Sequence, residues 1–436
     1  MKEQIGRVKE LATALEPELV VARRDFHKYA EVPWTEFRTT AILAKKLTRL
    51  GYQVDIGDTV INKDAMMGVP SPDVLKKHME RAVAQGAEPG LVAQMSGGMT
   101  GLVATLRRGE GHTLALRFDI DANDLDESQD VNHRPYREGF ASVNPGAMHA
   151  CGHDGHAAAG LGVANILMQL KDHLSGTVKL IFQPGEEGSR GAAAMEAAGV
   201  LEGVDYIFGG HIGIKARHLG DFICGTREFL ATTKLDVTFT GKPAHAGMSP
   251  EEGRNALLAA ATCALNLHAI SRHGQGASRI NVGSLHAGQG RNIIPAHAVL
   301  QLETRGVTTS IDGFMAQEAR RIIEAAALMY AVDYQAECAG ATQSGESSPE
   351  MAEVAGTIAR EMGCFENILG IVSFGATEDF SHLLTHVQER GGKGTYVQLG
   401  TDISAGHHHS CFDFDERVIA YFSEFMALVA CRLLGT

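Results

Sequence analysis

Nine consecutive residues, Met148 to His156, carry three histidines, a cysteine and an aspartate in the order Met-His-Ala-Cys-Gly-His-Asp-Gly-His. A thiolate and an imidazole two positions apart, Cys151 and His153, can converge on one borderline-soft cation such as zinc. Gly152 and Gly155 leave the backbone free to bend around whatever is held. A His-rich surface loop has the same composition, so the distribution of further ligand types decides between the two readings. Those types recur at Asp119 and Asp121, at the adjacent pair Glu186 and Glu187, at His211, and at three consecutive histidines, His407 to His409.

The elements that must position these residues alternate. Apolar strands are expected at 114–118, 177–182 and 204–208, with helices at 155–170 and 191–201 between them. Continuous apolar strands separated by helices mean a largely parallel sheet covered on both faces. Ligands of such sheets bind beyond the carboxyl ends of the strands. Asp119 and Asp121, Glu186 and Glu187, and His211 all fall just past those ends, and Cys151 and His153 fall just before a helix. Upstream, 5–24 and 36–50 read as amphipathic helices and 52–56 as a short strand. Residues 57–98 form an excursion with one capped helix at 71–85.

Near Thr226 the texture changes. Residues 233–240 alternate apolar and polar, followed by a helix (255–270), strands (280–285 and 298–303), a helix (311–330) and a strand (333–338). This β-α-β-β-α-β order is the ferredoxin-like unit. The expected organisation is one domain of residues 1–226 and 344–436 with a second domain, 227–343, inserted in it. Helices at 349–361 and 415–434 and strands at 368–373 and 395–399 complete the first.

Composition narrows the function. The 436-residue chain has a formal net charge of −13 with the acids dispersed, which argues against a nucleic-acid or anionic-membrane partner. Its seven cysteines are scattered singly, the usage of a reducing compartment, and the expected location is cytoplasmic. No apolar run reaches the length of a membrane span.

Several motifs extend along the chain in a fixed order: Arg23-Arg24-Asp25-Phe26-His27, Arg117-Phe118-Asp119-Ile120-Asp121, the 148–156 stretch, Phe182-Gln183-Pro184-Gly185-Glu186-Glu187-Gly188, Gly210-His211-Ile212-Gly213, Ala244-His245-Ala246-Gly247, Gly290-Arg291-Asn292-Ile293-Ile294-Pro295, Ala376-Thr377-Glu378-Asp379-Phe380, and His408 through Glu416. On these the chain resembles the metallo-aminoacylase and carboxypeptidase family of co-catalytic metal amidohydrolases. Arg117, where many relatives carry a ligand histidine, and Cys151, where they carry aspartate, match the aminoacylase-like branch.

The resemblance implies a mixed, mostly parallel α/β sheet with helices on both faces and an inserted ferredoxin-like α+β domain. It implies two divalent metal ions per subunit, manganese or zinc, held by Cys151, His153, Glu187, His211 and His408. Family spacing selects His408 among the three histidines, although Ser410 replaces the proline more usual two residues later. By the same likeness Glu186 is the general base, Asp119 orients a ligand imidazole, and His245 and Asn292 stabilise the oxyanion across a dimer. A substrate carboxylate calls for an arginine; Arg305 is the first choice, with Arg291 and Arg190 also open.

The implied activity is hydrolysis of an amide joining an acyl group, p-aminobenzoyl foremost, to an amino acid, glutamate foremost. The chain would act as a homodimer or with a homologous B subunit. The rivals are a homo-oligomeric N-acyl or N-acetyl amino acid deacylase and a non-catalytic metal-binding partner subunit.

Overall fold

The computed structural model describes residues 2–435. In chain order the strands are β1 (Gln53–Ile56), β2 (Leu102–Arg108), β3 (Thr113–Asp119), β4 (Gly176–Gln183), β5 (Tyr206–Ile212), β6 (Asp221–Arg227), β7 (Ala231–Thr240), β8 (Ser278–Ala287), β9 (His297–Gly306), β10 (Asp333–Thr342), β11 (Asn367–Ser373) and β12 (Lys393–Leu399). The chain divides into two units. The larger holds the residues through Arg227, Glu346–Phe374 and those from Asp379 onward; the smaller is Glu228–Gly345 together with Gly375–Glu378.

The larger unit is built on an eight-stranded sheet in the order β1-β2-β4-β3-β5-β12-β6-β11. Its centre, β4-β3-β5-β12, is parallel, as the buried apolar runs require. β1 and β2 flank it antiparallel, and the parallel pair β6 and β11 runs antiparallel to β12. Helices Lys2–Lys28, His153–Gln169 and Arg417–Leu434 pack together on one face, and helices Gly191–Ala197 and Phe380–Glu389 lie on the other. Alternation along the strands feeds both layers. Phe118 of β3 meets Phe182 and Phe422 at ring-centroid distances of 5.6 and 5.8 Å, while Tyr396 of β12 meets Phe380 at 5.1 Å. Helix His153–Gln169 is buried along nearly its whole length, so its sequence is apolar and Ala-rich rather than amphipathic.

Several details differ from the sequence reading, among them helix Phe380–Glu389, which it does not expect, and Gly375–Glu378, which joins the smaller unit. β6 lies where only a change of texture is expected, because Gly225 interrupts its apolar run. The helix expected at 191–201 ends at Ala197, with Gly199 at φ +80° just beyond it. The excursion has its own small core, Phe37, Ala41, Leu75, Ala82, Val92 and Met95, around helices Pro72–Ala84 and Pro89–Gln94.

The smaller unit is a four-stranded antiparallel sheet in the order β10-β7-β9-β8, with helices Ala256–His268 and Thr309–Tyr330 against it. The side chains of Asn255 and Thr308 cap those helices by accepting from the N–H groups of Leu258 and Ile311. Leu235, Val237 and Phe239 of β7 point into its core with Leu300, Leu302, Met315 and Ile323. Among the described residues no helix is long and apolar enough to cross a membrane.

Glu424, in helix Arg417–Leu434, is buried and its Oε1 meets no hydrogen-bond partner among the described residues. Burial pushes its pKa up from 4.5 to about 7. The folded state therefore favours the protonated acid, so this contribution to stability is full below pH 4.5 and is lost as pH rises through about 7. Glu424→Gln is expected to raise the melting temperature by about 2–4 °C at pH 8 and to leave it unchanged at acid pH. Equal shifts at both pH values in calorimetry would contradict this account.

Candidate metal centre

The carboxyl ends of β3, β4, β5 and β12 bring the dispersed residues to one rim. β3 ends at Asp119, with Asp121 beyond it; β4 leads into Glu186 and Glu187; β5 carries His211; the loop after β12 carries His408; and helix His153–Gln169 starts beside them, with Cys151 in its approach. Ligand atoms of Cys151, His153 and His211 lie within 4.8 Å of one another, and so do those of Cys151, Glu187 and His408. Cys151 belongs to both groups. Its Sγ is 3.4 Å from His211 Nε2, and Glu187 Oε1 is 3.2 Å from His408 Nε2. Glu186 stands alongside, with Oε2 at 4.0 Å from His153 Nε2.

Local backbone accounts for these positions. Gly152, at φ +94°, makes the turn into the helix, whereas Gly155 is helical and serves close packing, since a Cβ there would fall 2.7 Å from the Phe414 ring. In the histidine triplet, His408 sits at φ +64° with its N–H donated to Ala150 O, which turns its imidazole toward Glu187. His407 Nε2 is 3.2 Å from the Ile212 carbonyl, and His409 Nδ1 accepts the Cys411 N–H.

The polar groups behind the rim are only partly those the sequence points to. Asp119, expected to orient a ligand imidazole, pairs instead with Arg117 and with His156 Nδ1, while its Oδ2 stays 3.7 Å from His153 Nε2. The orienting contact belongs to Asp121. His153 Nδ1 donates to the Asp121 carbonyl at 2.9 Å, and the Asp121 carboxylate accepts the N–H groups of Glu186 and Glu187 at 3.1 and 2.8 Å. Glu36 takes the Gly185 N–H and the Thr100 hydroxyl. Arg117 is a structural cation that donates to Gln183, Asp119 and Asp379. Of these supports, the second acid of the Asp119–Asp121 pair and Asp379, within the Ala376–Phe380 motif, leave a signal in the sequence; Glu36 reads as an ordinary surface acid.

Behind the Cys151 loop lies a buried ionic network. Arg23 donates to Asp154, Asp413 and Glu416 at 2.7, 2.9 and 3.2 Å. His27 lies between Asp154 and Glu127; burial opposes its charge, but the hydrogen bonds to these two acids prevail and hold its pKa up at about 9. His149 is buried with no hydrogen-bond partner among the described residues on either nitrogen, and burial keeps it neutral.

The donor set fits divalent cations. The Nε2 of His153 is buried without a hydrogen-bond partner among the described residues, and its Nδ1 contact fixes the tautomer that leaves Nε2 a lone pair. Burial and then the Glu187 charge push the Cys151 thiol up. For His153 burial is overcome by the Asp119 charge and the Asp121 hydrogen bond, so its pKa is also raised. The acids around His153 favour a cation there, and a metal ion competes with protons for both ligands. His211 is held neutral by burial and by neighbouring His156 and His407.

The remaining candidates lie in the smaller unit. His245 and Asn292 sit on paired segments: the Ala246 N–H donates to Asn292 O, and His245 bridges to Ile293. His245 Nδ1 accepts the N–H groups of Gly247 and Met248, which puts the ring proton on Nε2. Arg305 is engaged by Glu303 through both Nε and a terminal nitrogen, at 3.0 and 3.2 Å.

A buried thiol shared between two groups of imidazole and carboxylate donors, at the carboxyl ends of parallel strands, defines the class of metal-dependent amidohydrolases. Residues 115–432 match the model of Peptidase family M20/M25/M40, and the chain belongs to that family. It is 47% identical to the A subunit of p-aminobenzoyl-glutamate hydrolase of Escherichia coli (strain K12), over 98% of this chain and 99% of the relative. It is 48% identical to indole-3-acetyl-aspartic acid hydrolase of Enterobacter agglomerans, over 97% of each. Among solved structures, the aminobenzoyl-glutamate utilization protein from Klebsiella pneumoniae superposes with a TM-score of 0.85 at 39% identity, covering 98% of both chains.

Sharing of Cys151 has a measurable consequence. Cys151→Ala is expected to lower bound metal, measured by elemental analysis after dialysis, more than His211→Ala or His408→Ala does, since each histidine belongs to one group only. Equal losses in all three variants would mean that the thiolate is not shared.

Proposed function

We propose that the chain hydrolyses the amide between an aromatic acyl group and an acidic amino acid, with p-aminobenzoyl-glutamate as the leading substrate. The observation that carries this reading is the meeting of Cys151, His153, Glu187, His211 and His408 beside Glu186. The E. coli and E. agglomerans relatives support the substrate class, because both are named for aromatic acyl conjugates of an acidic amino acid.

In this proposal the five residues would hold two divalent ions, manganese or zinc, and Cys151 belongs to both groups of donors. When bound, such ions supply Lewis acidity toward the amide carbonyl and lower the pKa of water. Glu186, its N–H fixed by Asp121, takes the proton of the attacking water and returns it to the leaving amine nitrogen. His245 donates its Nε2 proton to the developing oxyanion of a neighbouring protomer, with Asn292 beside it. That neighbour is a second copy of this chain or a homologous B subunit, the arrangement suggested by the name of the E. coli relative. Seven free cysteines accord with a cytoplasmic setting. A purely non-catalytic role is disfavoured, since Glu186 and a complete donor set occur together in one chain.

Glu186→Gln is expected to retain bound metal while kcat on p-aminobenzoyl-glutamate falls by about 10²–10⁴-fold; an unaltered rate would remove Glu186 from the mechanism. Chelation is expected to abolish turnover and added zinc or manganese to restore it. Turnover of N-acetyl amino acids alone, with none of p-aminobenzoyl-glutamate, would overturn the substrate assignment. Activity of the chain by itself would mark the homodimer.

A further inference from the structure

The Glu186–Glu187 loop continues into Arg190, which differs from the other candidate arginines. Arg305 has its guanidinium occupied by Glu303, and both Arg305 and Arg291 lie in the smaller unit. Arg190 is in the larger unit, four residues after Glu186. Its backbone N–H is donated to Gly185 O at 3.0 Å, which closes the loop. Its Nε is buried and meets no hydrogen-bond acceptor among the described residues. Asp124 feels its charge from beyond ion-pair distance. A half-buried guanidinium with an unsatisfied nitrogen is poised for a planar, bidentate anion.

Its position is built rather than incidental. One terminal nitrogen donates to the Gly68 carbonyl at 3.2 Å. Gly68 belongs to the excursion, which is pinned on both sides: Trp34 Nε1 donates to Met67 O at 2.7 Å, and the Asn62 N–H donates to Ala194 O at 3.0 Å. The guanidinium also packs against Gly188, where a Cβ would fall 2.7 Å from Nε. Only a glycine between Glu187 and Ser189 lets the side chain fold back beside the loop that carries the two acids, and Gly188, at φ +113°, is suited to it.

We infer that Arg190, aimed by the Gly68 carbonyl and the surface of Gly188, receives the side-chain carboxylate of the acidic amino acid and so sets specificity for glutamate- or aspartate-type leaving groups. The inference rests on the proposed amide-hydrolase reading. It gives the excursion a purpose: it supplies the acceptor that fixes one end of the guanidinium, leaving the other terminal nitrogen for substrate.

The test compares kcat/KM of the metal-loaded protein on p-aminobenzoyl-glutamate and on p-aminobenzoyl-glutamine, which differ only in the charge of the side-chain terminus. Wild-type protein is expected to prefer the glutamate conjugate by on the order of 100-fold. In Arg190→Met that ratio should collapse to within about threefold, and Arg190→Lys should recover part of it. Wild-type protein that hydrolyses both conjugates equally overturns the inference and leaves the hydrolase reading intact. So does an Arg190→Met variant in which both rates fall by the same factor, because that would place Arg190 on a group common to the two substrates. Metal-loaded wild-type protein inert toward both overturns the inference together with the reading beneath it.

Discussion

The rim depends on Asp121. Its carbonyl takes the proton of His153 Nδ1, and its carboxylate takes the N–H groups of Glu186 and Glu187. One residue at the end of β3 thereby fixes the start of a helix and the loop after β4 relative to each other. Hydrogen bonds to an ionised acceptor are stronger than neutral ones, and here they are partly buried, where leaving a donor unmade is costly. Ligand positions must be held to about 0.5 Å to be productive. Strand pairing alone sets β3 beside β4, but it does not set the direction of a side chain beyond the last ladder bond.

Arg23 extends the same logic to segments far apart in sequence. Its three acidic partners lie beside the ligand loops, Asp154 next to His153 and Asp413 and Glu416 downstream of His408. Removing one partner of such a buried set leaves an uncompensated charge at a cost of about 3–5 kcal/mol, so the two loops are held or lost together. Helix Lys2–Lys28 is therefore part of the rim although it contributes no donor to it.

The parallel centre of the sheet and the order of donors around it were legible because each donor follows a continuous apolar run, and strand ends in such sheets lie on one side. The groups that brace the donors were less so. Asp121, Glu36 and Asp379 are single acids whose partners include backbone N–H groups, and the sequence carries no mark of a backbone donor contact. His408 could be named only by spacing; its left-handed backbone and the Ala150 carbonyl distinguish it from its neighbours in space. β6 is hard to see in the sequence because Gly225 breaks its pattern. Arg305 stands out for its residue type, but a strand neighbour two positions away, Glu303, already occupies its fork.

The way the chain leaves and re-enters the large sheet has an evolutionary consequence. Thr226 and Ser347 are joined by two hydrogen bonds at the exit, and just beyond them Phe229 bridges to Gly345 within the smaller unit. The main departure and return share one doorway, and Gly375–Glu378 adds a short second visit to the smaller unit, while the host layer keeps its continuity. Away from His245 and Asn292, a lineage can lengthen or vary such a cassette with little disturbance to the donors at the rim.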